Sequence, residues 1–376
     1  MPDVVTLGDI NVDIIARVPS YPPPGGDSLA EGVDIRAGGS AANTAIVLSK
    51  FGLDVSIIAR VGEDILADFA LSDLRQAGVD LSLVQRDAES RTGLIFAAVT
   101  PDGERTFFSC RGANTRTVLE PKGETAVREA KVVHVSGYAF VEGLQRDTAL
   151  GAMEEARRSG VCVSVDLGVE VMTVTREDLL RMLSTVSMVF PNRAVGEWLT
   201  GKRGAQESVM ALLSYGPELV GLKLGGQGCL IGSTEGIIAV PAFQVVPVDG
   251  TGAGDSFDAG LLLGRIGGLS LRASGILANV LGARATTVTG GGISLPGPEA
   301  ALPFLEEHRG EPTWEGWSEE LATVSEFLAR RPSARVAKFD AKTKELTLCL
   351  TPIPNSHVTC MPWAWAIPSR TTCSAS

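Results

Sequence analysis

Short runs of β-branched residues alternate along this chain with helical patterns, and that alternation restricts the fold more than any other feature. Strands are predicted at Val4–Gly8, Val55–Val61, Val132–Val135, Val161–Val165, Met188–Phe190 and Leu219–Leu224. Helices are predicted at Ala41–Lys50, Asp64–Gln76, Arg146–Arg158, Glu207–Ser214, Ser256–Gly264 and Leu271–Thr287. Repeated strand–helix–strand units build a mostly parallel sheet, because a parallel neighbour needs a crossover long enough to hold a helix. The expected architecture is doubly wound α/β, with helices on both faces. Two stretches break the alternation: residues 13–37, and residues 92–110, where TGLIFAAVT and RTFFSC flank Pro101-Asp102-Gly103. Both read as antiparallel strands outside the main sheet.

The segment Asp249-Gly250-Thr251-Gly252-Ala253-Gly254-Asp255-Ser256-Phe257 runs a glycine-spaced turn directly into an apolar helix. Small residues at Gly252, Ala253 and Gly254 leave backbone N–H groups free to face an anion, and the helix adds its positive dipole end at the same place. A carboxylate at Asp255 would stand beside a phosphate bound there, where it can take a proton from an attacking hydroxyl. The alternative is a tight turn with a capping Asp. Residues 38–52, GGSAANTAIVLSKFG, repeat the theme: a Gly-Gly turn, a small-residue helix and Gly52 at its end.

These two segments, in this order and about two hundred residues apart, resemble the paired signatures of the ribokinase family, also called the phosphofructokinase-B family of carbohydrate kinases. Further matches are Gly8-Asp9-Ile10-Asn11-Val12-Asp13, Val61-Gly62-Glu63-Asp64, Arg111-Gly112-Ala113-Asn114, Pro191-Asn192 and Lys223-Leu224-Gly225-Gly226-Gln227-Gly228, all in family order. The resemblance spans residues 3–305. It implies a ribokinase-like kinase domain over 1–305, with a small β-sheet lid from about 13–37 and 92–110 that often carries a dimer contact. It also implies an ATP-dependent kinase transferring the γ-phosphate to a hydroxyl of a small sugar or sugar derivative.

By the same resemblance, Asp255 is the general base and Gly252, Ala253 and Gly254 form the anion hole. Asn11, Asp13, Gly39 and Asn43 grip the acceptor; Asn192, Lys223, Gly225, Gly228 and Asn279 line the nucleotide site. Asp249 and the Thr251 carbonyl match positions that hold a monovalent cation, K⁺, while Mg²⁺ accompanies ATP. Read without the family, Asp249 is equally a turn cap, Asn279 a helix-packing residue and Asp13 a solvated loop carboxylate.

Two departures stand out. Where the family often shows Asn-x-x-Glu, with the Glu organising Mg²⁺, this chain has Asn192-Arg193-Ala194-Val195. Glu197 lies two positions further on, on a different helical face. The acidic residue that ribokinases present to the sugar before their central helix is also missing, with Ser136-Gly137-Tyr138 in its neighbourhood. Ribose is therefore not a safe substrate assignment.

Composition excludes several other classes. The net charge of −11 and the lack of a basic stripe argue against nucleic acid and against an anionic membrane surface. Val4-Val5-Thr6-Leu7 follows the start without the basic and apolar regions of a secretory signal, so a cytoplasmic location is expected. Six cysteines form no CxxC pair and only three histidines occur, so a Cys/His metal site is not expected. No Walker A sequence is present, and Gly252-x-Gly254 lacks the third glycine of a dinucleotide fingerprint.

Residues 306–376 carry no family content and read as an extension of unknown role. Within it, 318–331 has Leu321, Val324, Phe327 and Leu328 on one helical face, 334–351 suits a hairpin, and from Leu346 the composition turns to Pro, Cys, Trp and Thr. Besides the sugar kinase, two readings stay open: a nucleoside kinase, with Phe108 as a candidate stacking partner for a base, and a nucleotide or sugar sensor without catalysis.

Overall fold

The computed structural model describes residues 1–101 and 105–331. Val4–Leu7 is buried at every position, as a continuous apolar run must be when helices cover both faces of its sheet. Among the described residues, nine strands form one large sheet in the order Gly236–Val240, Cys229–Ser233, Leu219–Lys223, Met188–Pro191, Cys162–Leu167, Val132–Val135, Val4–Leu7, Val55–Gly62 and Val84–Asp87. All neighbours pair in parallel except Cys229–Ser233, which is antiparallel to both of its partners. Two apolar layers flank the sheet. One centres on Ile46, Phe51, Leu261 and Leu277, the other on Met153, Leu167 and Leu179.

Four further strands make a small separate sheet in the order Gly32–Gly38, Asn11–Arg17, Gly93–Val99 and Arg105–Cys110. Its central pair is parallel and its outer pairs antiparallel. Side chains alternate across a strand, so Asp13, Ile15, Ile95, Ala97, Phe107 and Ser109 face one cavity together. Phe96 and Phe108 meet on the opposite face, with ring centroids 6.1 Å apart. Phe108, a candidate for base stacking from the sequence, therefore points away from the cavity, and its neighbour Phe107 lines it.

Differences from the predicted elements have local causes. The helix expected over Asp64–Gln76 is two, Ile65–Ala70 and Ser72–Ala77. At the break, the Ser72 hydroxyl donates to the Phe69 carbonyl at 2.7 Å and competes with the helical ladder. Strands at Val84–Asp87, Cys229–Ser233 and Gly236–Val240 were not expected, being short and interrupted by polar residues or glycine. The same holds for the helices Pro121–Glu129, Arg176–Leu183, Arg193–Thr200 and Pro298–His308.

Packing continues past residue 305, which falls inside the Pro298–His308 helix. Trp314 stacks on Phe243 at 4.2 Å between centroids, and Leu321, Val324 and Leu328 of the Ser318–Ala329 helix are buried in the same core. The folded body that carries the site thus includes residues the sequence assigned to an extension. The proposed hairpin at 334–351, the aromatic tail and most of the turn at Pro101–Gly103 lie outside the described residues. Among the described residues, no helix is long and apolar enough to cross a membrane.

Candidate functional site

The Ala253–Ile266 helix starts at Gly252, whose φ of 73° is left-handed and suits glycine. A Cβ there would also lie 2.7 Å from Leu295, so the turn is closed sterically as well as conformationally. No side chain caps the first turn of this helix, and Ala253 N donates to the Gly250 carbonyl at a long 3.3 Å. Asp249 ties the turn down: its Oδ1 accepts from Thr251 N at 2.8 Å and its Oδ2 from Gly290 N at 2.9 Å.

Asp255, the third residue of that helix, is fixed by the other glycine segment. Gly39 takes φ 109° and packs so tightly against the Asp9 carbonyl that any side chain would collide. This bend starts the Ser40–Lys50 helix toward Asp255. Ser40 Oγ donates to Asp255 Oδ1 at 2.7 Å and Asn43 Nδ2 donates to Oδ2 at 2.7 Å, two residues that share a helical face by their spacing of three. Burial, with the Asp166 carboxylate nearby, pushes the Asp255 carboxyl up to about 6 despite those two donors.

Two cavities meet at this turn. The first, about 550 Å³, is lined by Asn11, Asp13, Gly39, Ser40, Asn43 and Asp255, with further walls from the small sheet and from Gly250–Gly252. Asp13 lies against Gly38, and one of its oxygens is buried without a hydrogen-bond partner. Burial, then the Asp255 charge, raises its pKa to about 7. Asn11 accepts from Asn114 Nδ2 at 2.9 Å, and Asp9 behind it receives Arg111 at 2.8 and 2.9 Å.

The second cavity, about 320 Å³, is lined by Lys223, Gly225, Gly228, Phe243, Ala253, Gly254 and Asn279 among others. Its character is more apolar. Asn279 donates to the Pro241 carbonyl at 2.8 Å, so it binds the adjacent chain as well as facing the cavity. Lys223 Nζ reaches Asp166 Oδ1 at 2.6 Å and Asp258 Oδ1 at 3.0 Å. Burial disfavours the lysine charge, but these two carboxylates outweigh it and keep the ammonium protonated.

Of the residues picked from the sequence, Asn11, Asp13, Gly39, Asn43, Asp249, Thr251, Gly252 and Asp255 come together at the first cavity, and Lys223, Gly225, Gly228, Ala253, Gly254 and Asn279 at the second. Asn192 lines neither; its Oδ1 accepts from Val195 N at 2.9 Å as a helix cap. Val195 is wholly buried. Sequence reasoning passed over Ser40, Tyr138, Asp166 and Glu170, all of which line the first cavity. Ser40 was recoverable from its spacing to Asn43. Asp166 lies in the Cys162–Leu167 strand and Glu170 two residues past Gly168, and no motif in the sequence marked either of them.

Among solved structures, an Arabidopsis thaliana ribokinase complexed with ribose and ATP superposes with a TM-score of 0.71 at 23% identity, covering 81% of this chain and 98% of that one. The fold is thus the ribokinase-like α/β fold. Residues 1–298 match the pfkB family carbohydrate kinase. Fructokinase-1 of Zea mays is 31% identical over 322 residues, 81% of this chain and 98% of the relative. Ribokinase of Staphylococcus aureus (strain COL) is 28% identical over 312 residues, 81% and 97% respectively. The chain belongs to the pfkB family of carbohydrate kinases, and is a sugar or nucleoside kinase.

Proposed function

We propose that this enzyme transfers the γ-phosphate of ATP to a hydroxyl of a small sugar or sugar derivative held in the first cavity. One observation carries the reading: the Gly250–Asp255 turn is a shared wall, with Gly252 and Asp255 facing the polar cavity and Ala253 and Gly254 facing the apolar one. An acceptor and a nucleotide seated on either side would meet at the helix start. Asp255 takes the acceptor hydroxyl proton as the new oxygen–phosphorus bond forms, the bond from the γ-phosphorus to the bridging oxygen breaks, and ADP leaves. The N–H groups of Gly252, Ala253 and Gly254 and the helix dipole stabilise charge on the transferring group. Lys223, paired with Asp166 and Asp258, adds a fixed positive charge beside Gly254.

Among the described residues, no group of three or more His, Cys, Asp or Glu side chains is arranged to hold a metal ion alone. With Val195 in the core, Mg²⁺ would be held by the nucleotide phosphates and water, supplying charge neutralisation there. A K⁺ ion would find the Asp249 carboxylate and the Thr251 carbonyl beside the turn. The outward face of the small sheet, with Val33, Ile35, Phe96 and Phe108 exposed, suits a homodimer contact through the lid. A nucleoside acceptor is the second reading, because Phe107 offers the first cavity an aromatic face for a base.

ADP formation with MgATP across ketoses, aldoses, polyols, sugar acids and nucleosides tests both readings. Turnover with free sugars supports the first, and turnover restricted to nucleosides replaces it with the second. No turnover with any acceptor would overturn both.

A further inference from the structure

The acidic residue missing near Ser136-Gly137-Tyr138 has a spatial counterpart. Glu170, in the short turn after the Cys162–Leu167 strand, lies directly against Gly137, where any Cβ would collide with its Oε1. A Cβ on Gly168 would meet the same carboxylate, and Gly168 N donates to Oε1 at 3.1 Å. Two glycines thus clear the space that the Glu170 carboxylate fills, and its direction is into the first cavity, whose lining it joins beside Tyr138 and Asp166. The carboxylate arrives from a different segment of chain.

We propose that Glu170 is an acceptor-binding residue which, with Asp13 of the small sheet, selects an uncharged, hydroxyl-rich acceptor over sugar acids and sugar phosphates. The inference rests on the kinase reading above. Asp13, Asp34, Asp166, Glu170, Asp249 and Asp255 all line this cavity, whereas among the described side chains Arg17 is its one cation, and Arg17 is paired with Asp34. An ionised carboxylate is an acceptor-only group that a hydroxyl satisfies and an anion repels; burial, with Asp166 nearby, pushes the Glu170 carboxyl up to about 7, so the selection is strongest above that pH. Tyr138 adds a donor: burial, with Glu170, Asp9 and Asp255 nearby, pushes its hydroxyl up to about 12, so it keeps its proton.

The test compares wild type, Glu170→Gln and Glu170→Asp with D-fructose, D-ribose and adenosine as neutral acceptors, and D-gluconate and fructose 6-phosphate as anionic ones. Wild type should favour its best neutral acceptor by about tenfold or more in kcat/KM, the scale expected when a site leaves or repels a mismatched polar group. Glu170→Gln should raise the KM of that acceptor about tenfold, leave the KM of ATP within about twofold, and narrow the discrimination against the anions. Glu170→Asp keeps the charge and should keep the discrimination while raising the KM of the neutral acceptor, because the shorter side chain withdraws the carboxylate; an unchanged acceptor KM in that variant overturns the inference if the glutamine variant does not fold. Wild-type preference for an anionic acceptor, or unchanged acceptor KM and discrimination in folded Glu170→Gln, overturns the inference while the kinase reading stands. Failure of every acceptor overturns the kinase reading, and this inference with it.

Discussion

Asn43 donates its amide to Asp255 Oδ2 at 2.7 Å while its own Oδ1 accepts from Gly292 N at 2.9 Å. Both ends of the side chain are engaged, so Asn43 spans Asp255 and the loop after the Leu271–Thr286 helix. The resemblance assigns Asn43 to the acceptor; in the structure it holds Asp255 and also lines the first cavity.

Asp255→Asn is the direct test of the base. The amide keeps the size of the side chain and removes its proton affinity, so nucleotide binding should persist while turnover falls by about a hundredfold or more. Isothermal titration with ATP and single-turnover ADP formation separate the two effects. Near-normal turnover would remove Asp255 from the mechanism.

Asn43→Ala and Asp13→Ala should differ in kind. Losing Asn43 frees one Asp255 oxygen and should show mainly in kcat. Losing Asp13, whose buried oxygen lacks a partner in the free enzyme, should show in acceptor kcat/KM, by one to two decades for a hydrogen bond to a charged group worth about 1.5–3 kcal/mol. ATP affinity should be unchanged in both. Equal losses in kcat and in acceptor KM for the two variants would contradict the division of roles.

Much of this site was legible because glycine spacing is a local signal. Gly39 and Gly252 are required at their positions by φ and by close packing, and each announces a helix start at the first cavity. The alternation of strands and helices likewise survives in the large sheet. What stayed hidden depends on distant chain segments meeting. Glu170 meets Gly137 across 33 residues, and Lys223 meets Asp166 and Asp258 across 57 and 35 residues. Phe107 and Phe108 could not be told apart without the register of the small sheet.

Acidic pH should inhibit through Asp255. Because burial pushes its carboxyl up to about 6, acceptor kcat/KM should fall about tenfold per unit below that value and level off above it. Stability runs the other way. A carboxyl whose folded pKa is raised binds its proton more tightly when folded, so its contribution is complete below the unfolded value and is lost as pH rises through the folded one. Asp13, raised to about 7, and Asp255 should therefore make the free protein less stable at pH 8 than at pH 5. Asp13→Asn should raise the melting temperature at pH 8 by a few degrees and change it little at pH 4.5, as a thermal melt series would record. A lower melting temperature at pH 8 for that variant would mean that the carboxylate is stabilised in the fold.

The final prediction concerns where the enzyme ends. Phe243 lines the second cavity on one side and stacks on Trp314 on the other, and Trp314 is only 2% exposed. The ring therefore buttresses a cavity wall from a segment beyond the residues matched by the family model. Removing a buried tryptophan side chain costs on the order of 3–5 kcal/mol, part of it the cavity left behind. Trp314→Ala should lower the melting temperature markedly and, in the protein that remains folded, raise the KM of ATP more than that of the acceptor. A chain ended after residue 305 loses Trp314 together with Leu321, Val324 and Leu328, and should fail to fold or bind ATP weakly. A chain ended after Arg331 retains all four and should keep its specific activity. If the shorter chain is as active and as stable as the longer, the contacts of Trp314 with Phe243 contribute nothing to the site.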